Sequence, residues 1–293
     1  MKQIVFISGK GGTGKTVVSA SFAALSKNIV MADCDVDASN MHLLLKPEII
    51  ESHDFYAGYK ARIDPDKCIQ CARCLLQACR FGAISRDFTV DEGSCEGCGA
   101  CSQICPAEAV EMKENLSGRW FVSKTAPGIL VHAKLGAGED NSGKLVSKVR
   151  EEAVKRAKEA GYDTIVIDGP PGTGCPVMAA ITGTDLAVIV TEPTVSGMHD
   201  LERVTMTADR FGTPWGVIIN KSDINPEMSG RIRDFCKSKK APLFGEIEFA
   251  EEVLQAVAEG IPPVLWPKGN AAIQFKKSFG RITEFTGGQA VKI

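Results

Sequence analysis

Short continuous apolar runs alternate along this chain with longer segments in which apolar residues recur every three or four positions. The runs are Ile4–Ser8, Ile29–Asp33, Gly128–Lys134, Thr164–Asp168, Leu186–Thr191 and Trp215–Asn220. Apolar residues at successive positions over so short a length suit strands covered on both faces. Helical spacing marks Lys15–Ser26, Lys144–Ala160, Leu201–Phe211, Glu227–Lys240, Glu251–Glu259 and Ala271–Phe285. The segment 144–160 is rich in Lys, Glu and Ala and is closed by Gly161, a helix-stop signal. Strands separated by helices predict a doubly wound, mainly parallel α/β sheet.

That rhythm breaks from about Tyr59 to Lys113, where short elements are punctuated by cysteines and no long amphipathic helix can be drawn. The simplest organisation is one α/β domain in two parts, 1–58 and 114–293, interrupted by a small α+β insert at 59–113. The insert looks internally duplicated.

Composition adds constraints. Apolar residues make up 44% and charged residues 24% of 293 residues, ordinary globular usage. A formal net charge of −2 predicts neither a nucleic-acid nor a membrane partner. The opening apolar run is too short for a signal-peptide core, and no stretch approaches about 18 uninterrupted apolar residues, so a cytoplasmic location is expected. Thiols stay reduced there. Of the 11 cysteines, those from Cys68 to Cys105 are so closely clustered that they point to metal, not to disulfides.

Residues 9–16 read GKGGTGKT, between a predicted strand and a predicted helix. This is the phosphate-cradling loop G-x-x-x-x-G-K-[ST]. Gly9, Gly11, Gly12 and Gly14, with Thr13 between them, let backbone N–H groups turn toward phosphate oxygens, and the following helix adds a favourable dipole. Lys15 is expected to neutralise the β and γ phosphates, and Thr16 to ligate Mg²⁺.

The early lysine makes the KGGTGKT form resemble the deviant Walker motif of the MinD/ParA family, which includes the nitrogenase iron protein and the Mrp/NBP35 cluster carriers. Three further stretches match that family in order: DCDVDASN at 33–40, IVIDGPPGTG at 165–174 and VIINKSD at 217–223. The resemblance covers about 1–58 and 114–293. It implies that Lys10 reaches a partner subunit's nucleotide across an ATP-sandwiched homodimer or a heterodimer with a paralogue. It implies that Asp35 polarises the attacking water, that Asp33 and Asp168 serve the Mg²⁺, and that Gly172 donates an N–H to the γ-phosphate. Asn220 and Asp223 would then belong to the base-recognition loop. ATP preference comes with the resemblance, since Asn-Lys-x-Asp also occurs in GTPases. Asp37 and Ser39 have a plainer reading as helix N-caps.

Cys95, Cys98, Cys101 and Cys105, followed by Pro106, form the bacterial ferredoxin run C-x₂-C-x₂-C-x₃-C-P. Cys68, Cys71, Cys74 and Cys79 form a second run with a longer last gap and Arg80 in place of the proline. In two-cluster ferredoxins the fourth cysteine of each run serves the other cluster. The expected [4Fe–4S] ligand sets are therefore Cys68, Cys71, Cys74 and Cys105 for one cluster, and Cys79, Cys95, Cys98 and Cys101 for the other. Two tetrahedral zinc sites are the rival, although zinc pairs usually come as C-x₂-C separated by a longer loop. Cys34 and Cys236 are expected to be small buried hydrophobes. Cys175 follows Asp168 at the interval of a cluster ligand in the nitrogenase iron protein, but Gly136–Gly143 lacks the matching second cysteine. A dimer-interface thiol and plain packing are its two readings.

Three functions compete. An ATP-gated electron-transfer protein with a redox or iron–sulfur partner is preferred, because eight protein thiolates saturate two clusters. A cluster assembly or carrier ATPase would need fewer and more exposed ligands. A MinD/ParA-like partner-binding switch with structural clusters is the third. The tail Thr286–Ile293 is too short for the membrane helix that ends MinD relatives. Residues 60–86 are predominantly basic and 87–111 acidic, which reads as two solvated faces.

Overall fold

The computed structural model describes residues 1–139, 142–267 and 269–287. The tail segment beyond Gly287, and with it the expectation about a membrane helix, lies outside them. The chain divides into two compact units: Met1–His53, Trp120–Lys134 and Ser142–Ile293 form the first, and Asp54–Arg119 with Leu135–Asn141 the second. The boundaries predicted at 59 and 113 thus fall inside the second unit, which also takes in the short segment 135–141.

The strands are β1 (Lys2–Ser8), β2 (Ile29–Asp33), β3 (Glu48–Ile63), β4 (Val110–Lys124), β5 (Gly128–Leu135), β6 (Thr164–Pro171), β7 (Leu186–Thr191), β8 (Trp215–Asn220) and β9 (Leu243–Ile247). The α-helices are α1 (Lys15–Leu25), α2 (Met41–Leu45), α3 (Ala100–Ile104), α4 (Ser142–Ala160), α5 (Cys175–Ile181), α6 (Val195–Arg210), α7 (Pro226–Ser238), α8 (Glu251–Ala258) and α9 (Ala271–Phe285). Strand order is β3-β4-β5-β2-β6-β1-β7-β8-β9. From β5 to β9 the pairings are parallel, with Asp33 of β2 in register with Asp168 of β6.

β2 and β7 are buried at every residue, as expected for parallel strands covered on both faces. On one side Phe6, Phe22, Val166, Val188, Phe275 and Phe279 belong to a continuous core. Phe22 meets Phe279 edge-on with centroids 5.0 Å apart, a favoured aromatic geometry. The second unit has a far smaller core, built from Ala61, Ala83, Ile84 and Val110 together with Cys74, Cys95 and Cys101.

Several elements differ from the sequence expectation. β3 and β4 run far beyond any apolar pattern, and β3 is exposed along most of its length, so it carries no hydrophobic signature. α6 begins at Val195 and not at Leu201, because Thr194 caps it by accepting from the Gly197 N–H at 2.9 Å. β9 and α5 add a short strand and a short helix. No helix among the described residues is long and apolar enough to cross a membrane.

Candidate functional site

The loop from Gly9 to Gly14 joins β1 to α1. Gly12 and Gly14 take left-handed backbone conformations, φ 81° and 83°, which glycine adopts without strain. Space explains the others. A Cβ on Gly9 would lie 2.3 Å from Cβ of Asp200 in α6, and one on Gly14 would lie 2.3 Å from Nδ2 of Asn220. Asn220 donates that Nδ2–H to the Thr13 carbonyl at 2.8 Å, so the end of β8 is clamped to the loop. The Thr13 hydroxyl is buried without a hydrogen-bond partner among the described residues. A buried orphan hydroxyl in a backbone cradle fits an absent polar ligand.

Lys15 opens α1 and is 5% exposed. Its Nζ donates to Asp168 Oδ1 at 2.8 Å and lies 3.6 Å from Asp35 Oδ2. Burial alone lowers its pKa, but the charges of Asp168 and Asp35 outweigh that and leave it above the ordinary lysine value. Asp168 also accepts from Thr16 Oγ1 at 2.7 Å and from Ser19 Oγ at 2.9 Å. Two of the residues that the sequence assigned to Mg²⁺, Thr16 and Asp168, thus stand side by side. Ser19 was missed, although it follows Lys15 at helical spacing on the same face of α1.

Asp33 is fully buried, and its oxygens accept from the Asp35 N–H, the Ser39 hydroxyl at 2.6 Å and the Met41 N–H at 3.1 Å. Burial, reinforced by the charge of Asp168 across the register, pushes its pKa up to about 7. Helix α2 therefore receives its acceptor from Asp33, not from the side chain of Asp37 or Ser39. The Asp35 carboxyl is likewise raised, by burial first, with Lys15 opposing and Asp168 adding to it.

Three residues sit differently from expectation. The Gly172 N–H, assigned to a γ-phosphate, donates to the Ser8 carbonyl at 2.8 Å, because β6 continues to Pro171 beside Ser8 and delivers Gly172 to the end of β1. Asp223 accepts from the Phe249 N–H at 2.7 Å. Lys10 folds back within its own chain: Nζ donates to Ser196 Oγ at 3.1 Å and to Thr194 Oγ1 at 3.4 Å, and lies 3.8 Å from Glu192. Glu192 also pairs with Lys221. Only its place after the buried strand β7 hinted at Glu192 in the sequence.

In the second unit Cys68, Cys71, Cys74 and Cys105 line one cavity of about 320 Å³, open mouth included. Cys79, Cys95, Cys98 and Cys101 line another of about 340 Å³. Each takes three cysteines from one run and the last cysteine of the other. Backbone N–H groups point at two of the sulfurs, Ala61 at Cys95 Sγ (3.5 Å) and Ala109 at Cys105 Sγ (3.4 Å). Among the described residues no group of three or more His, Cys, Asp or Glu side chains is arranged to hold a single metal ion. Cys34 and Cys236 are buried, whereas Cys175 is exposed at the start of α5.

Comparison with known proteins fits this geometry. The sequence profile of the CobQ/CobB/MinD/ParA nucleotide binding domain matches residues 4–264. The uncharacterised protein MJ0578 of Methanocaldococcus jannaschii is 38% identical over 229 residues, 76% of this chain and 79% of its own. Pyruvate synthase subunit PorD of Methanothermobacter marburgensis is 40% identical over 55 residues, 19% of this chain and 67% of its own. Among solved structures, the septum site-determining protein MinD of Pyrococcus horikoshii, complexed with Mg-ADP, superposes with a TM-score of 0.58 at 22% identity, covering 100% of this chain and 99% of that one. The chain belongs to the CobQ/CobB/MinD/ParA nucleotide-binding family, as a P-loop ATPase of the MinD/ParA type.

Proposed function

We propose that this ATPase is a nucleotide-driven switch whose second unit holds two [4Fe–4S] clusters, and that ATP binding gates single-electron transfer through them. The observation that carries the reading is the division of eight cysteines into two four-thiol cavities. Each cavity draws three closely spaced cysteines from one run and the last cysteine from the other, the ligand sharing of two-cluster ferredoxins and not the separated C-x₂-C pairs of zinc sites. A unit with so small an apolar core gains stability from such staples. The 55-residue likeness to a pyruvate synthase subunit, as long as the predicted insert at 59–113, is consistent with a segment of separate origin.

On the ATPase side, Lys15 is placed to neutralise the β and γ phosphates, and the N–H groups of residues 11–16 to bind their oxygens. Bound Mg²⁺ would add charge neutralisation, held through Thr16 Oγ1 with Asp168 and Asp33 behind it. Asp35, beside Lys15 and partly open to solvent, is the acceptor that can orient water. Gly172 can serve the γ-phosphate only by leaving Ser8, and Lys10 can reach a second subunit only by leaving Ser196. Both contacts therefore belong to a resting arrangement that ATP and dimer formation, with the same chain or a paralogue, would exchange for another. Asn220 keeps its Oδ1 for a base edge while Nδ2 holds Thr13.

A switch with purely structural clusters is the second reading, favoured by the same small core. Burial of Cys74, Cys95 and Cys101 argues against release of clusters to a recipient. Anaerobically purified protein is expected to hold about eight iron and about eight sulfide per chain. Reduced protein is then examined by EPR and redox titration with and without ATP. A nucleotide-dependent potential or rate of reduction supports gating. Full clusters indifferent to ATP leave the structural role, and stoichiometric zinc defeats both.

A further inference from the structure

The second unit carries a large cleft that neither the phosphate loop nor the eight cysteines account for. It can hold about 840 Å³ of solvent, inside the range of roughly 300–1,000 Å³ of sites for small ligands. β3 contributes Lys60–Ile63 to it, β4 contributes Lys113–Leu116, and the turn after Ile84 contributes residues 87–90. Ile63, Cys68, Gln70 and Phe88 line this cleft and also the cavity of Cys68, Cys71, Cys74 and Cys105. The two spaces therefore share a wall, and a proposed cluster ligand stands in it.

The lining says what kind of molecule fits. Ala61 belongs to the small core, and Ile63, Phe88 and Val90 pack against it, so the inner side of the cleft is apolar. The cations Lys60, Arg62 and Lys113 are matched by the anions Asp87, Glu92 and Glu114, which leaves the lining without net charge. Such a balance favours an uncharged ring over a free anion or a strongly charged peptide. Gln70, Thr89 and Asn115 add amide and hydroxyl groups that can both donate and accept, as the edge of a heterocycle requires. Phe88 narrows the choice further. It takes a φ of 58°, a conformation that bulky residues rarely adopt. The turn enforces it: the Ser85 N–H donates to the Thr89 carbonyl at 2.9 Å, the Phe88 N–H donates to the Ser85 carbonyl at 3.1 Å, and the Ser85 and Thr89 hydroxyls bond to each other at 2.7 Å. Backbone strain of this kind concentrates at ligand sites. Here it sets an aromatic ring in the shared wall, where a planar ligand can stack on it.

We propose that the cleft binds a flavin, its isoalloxazine ring against Phe88, and that this flavin exchanges electrons with the cluster behind Cys68. The proposal rests on the two-cluster reading above. The electron count balances. Each reduced [4Fe–4S] cluster gives up one electron and returns to its oxidised form. Oxidised flavin takes up two electrons, together with two protons from solvent. One chain with both clusters reduced by a low-potential one-electron donor therefore holds the electrons for one flavin. Flavin is the cofactor class that joins one-electron carriers to two-electron chemistry, which the clusters alone cannot perform.

The test uses the full chain, purified anaerobically, with iron and sulfide counted first. Riboflavin and FMN are titrated separately by fluorescence anisotropy; riboflavin tests the ring alone, and FMN adds a phosphate. At least one of them is expected to bind once per chain. Binding should weaken at least about tenfold, about 1.4 kcal/mol, in Leu116→Trp. Leu116 is 45% exposed and lines the cleft but not the cluster cavity, so the new indole should narrow the cleft and leave iron near about eight per chain. Phe88→Leu, which keeps an apolar side chain but removes the stacking ring, should weaken binding in the same direction. Protein reduced with dithionite and then freed of it should bleach one equivalent of bound flavin while the EPR signals of its reduced clusters disappear, and Leu116→Trp should lose the fast phase of that bleaching. Failure of both flavins to bind protein with full clusters, or equal binding by the parent and Leu116→Trp, would overturn the proposal and leave the two-cluster reading standing. Flavin that binds but is not bleached would overturn the electron exchange. Protein without iron would sink the cluster reading itself, while the titration would still decide the flavin site.

Discussion

Asp33 offers a quantitative test of the site's electrostatics. It is a carboxyl with no exposed surface, it stands in register with Asp168, and its pKa is about 7 instead of the usual 3.8. The sign follows from linkage. A raised folded-state pKa contributes stability that is fully present below the unfolded value and is lost as pH rises through about 7. Between pH 5 and pH 8 the folded carboxyl ionises while its unfolded counterpart is already charged, so the native state loses about 2–3 kcal/mol from this group. Asp33→Asn removes the titration but keeps an acceptor for Ser39 and Met41. Lys15, also raised, titrates far above this window, and the Asp35 contribution is common to both proteins. The assay is urea unfolding of nucleotide-free protein in chelator, followed by tryptophan fluorescence. All three tryptophans, Trp120, Trp215 and Trp266, lie in the first unit and report on it alone. The Asp33→Asn variant should gain on the parent by about 2–3 kcal/mol more at pH 8 than at pH 5. A stability difference between the two proteins that is the same at both pH values would refute the assignment of a buried, proton-sharing carboxyl.

Other outcomes follow from the same geometry. Lys15→Ala should reduce ATP hydrolysis by about a hundredfold or more in a phosphate-release assay, since it removes the buried cation that faces the phosphates; an unchanged rate would displace Lys15 from the site. Gly14→Ala should abolish nucleotide binding measured by calorimetry, because the new methyl would lie 2.3 Å from Asn220 Nδ2 in a left-handed backbone conformation. Glu192→Gln should loosen Lys10 from its own chain and lower the protein concentration needed for ATP-dependent dimerisation by several-fold in light scattering. Cys79→Ser and Cys105→Ser, taken separately, should each cut iron from about eight to about four per chain, as expected if each closes a different cavity.

The sequence made legible whatever depends on local pattern. Strands such as Leu186–Thr191 are apolar at nearly every position because both their faces are covered, and their bounds follow from that run. The phosphate loop is legible because its glycines answer to backbone geometry and close approach. β3 stayed hidden for the opposite reason: most of its side chains meet water, so Glu48–Ile63 alternates only at its end, over Tyr59–Ile63. The start of α6 was missed because its signal is a single capping threonine. Gly172 and Lys10 were assigned by resemblance to the contacts of a nucleotide-bound dimer. The chain alone gives them other partners, Ser8 and Ser196, which lie at the end of β1 and 186 residues along the chain. No local pattern encodes such pairings.

The turn after β6 explains how phosphate chemistry can be felt elsewhere in the first unit. Within six residues the end of β6 and the turn after it supply Asp168 to Lys15, Thr16 and Ser19, Gly172 to Ser8, and Thr173 to Arg203. Asp168 is locked by three donors and by the pairing of β6 with β1 and β2, so it cannot travel far. Gly172 has one backbone hydrogen bond and a left-handed φ of 94°, a conformation glycine leaves cheaply. In the proposed switch the movement would fall on the segment beyond Pro171, which is hydrogen-bonded to β1 through Ser8 and to α6 through Arg203. A rigid anchor next to a loosely held glycine is what the proposed switch requires: the nucleotide site would stay assembled while the turn beyond Pro171 changes.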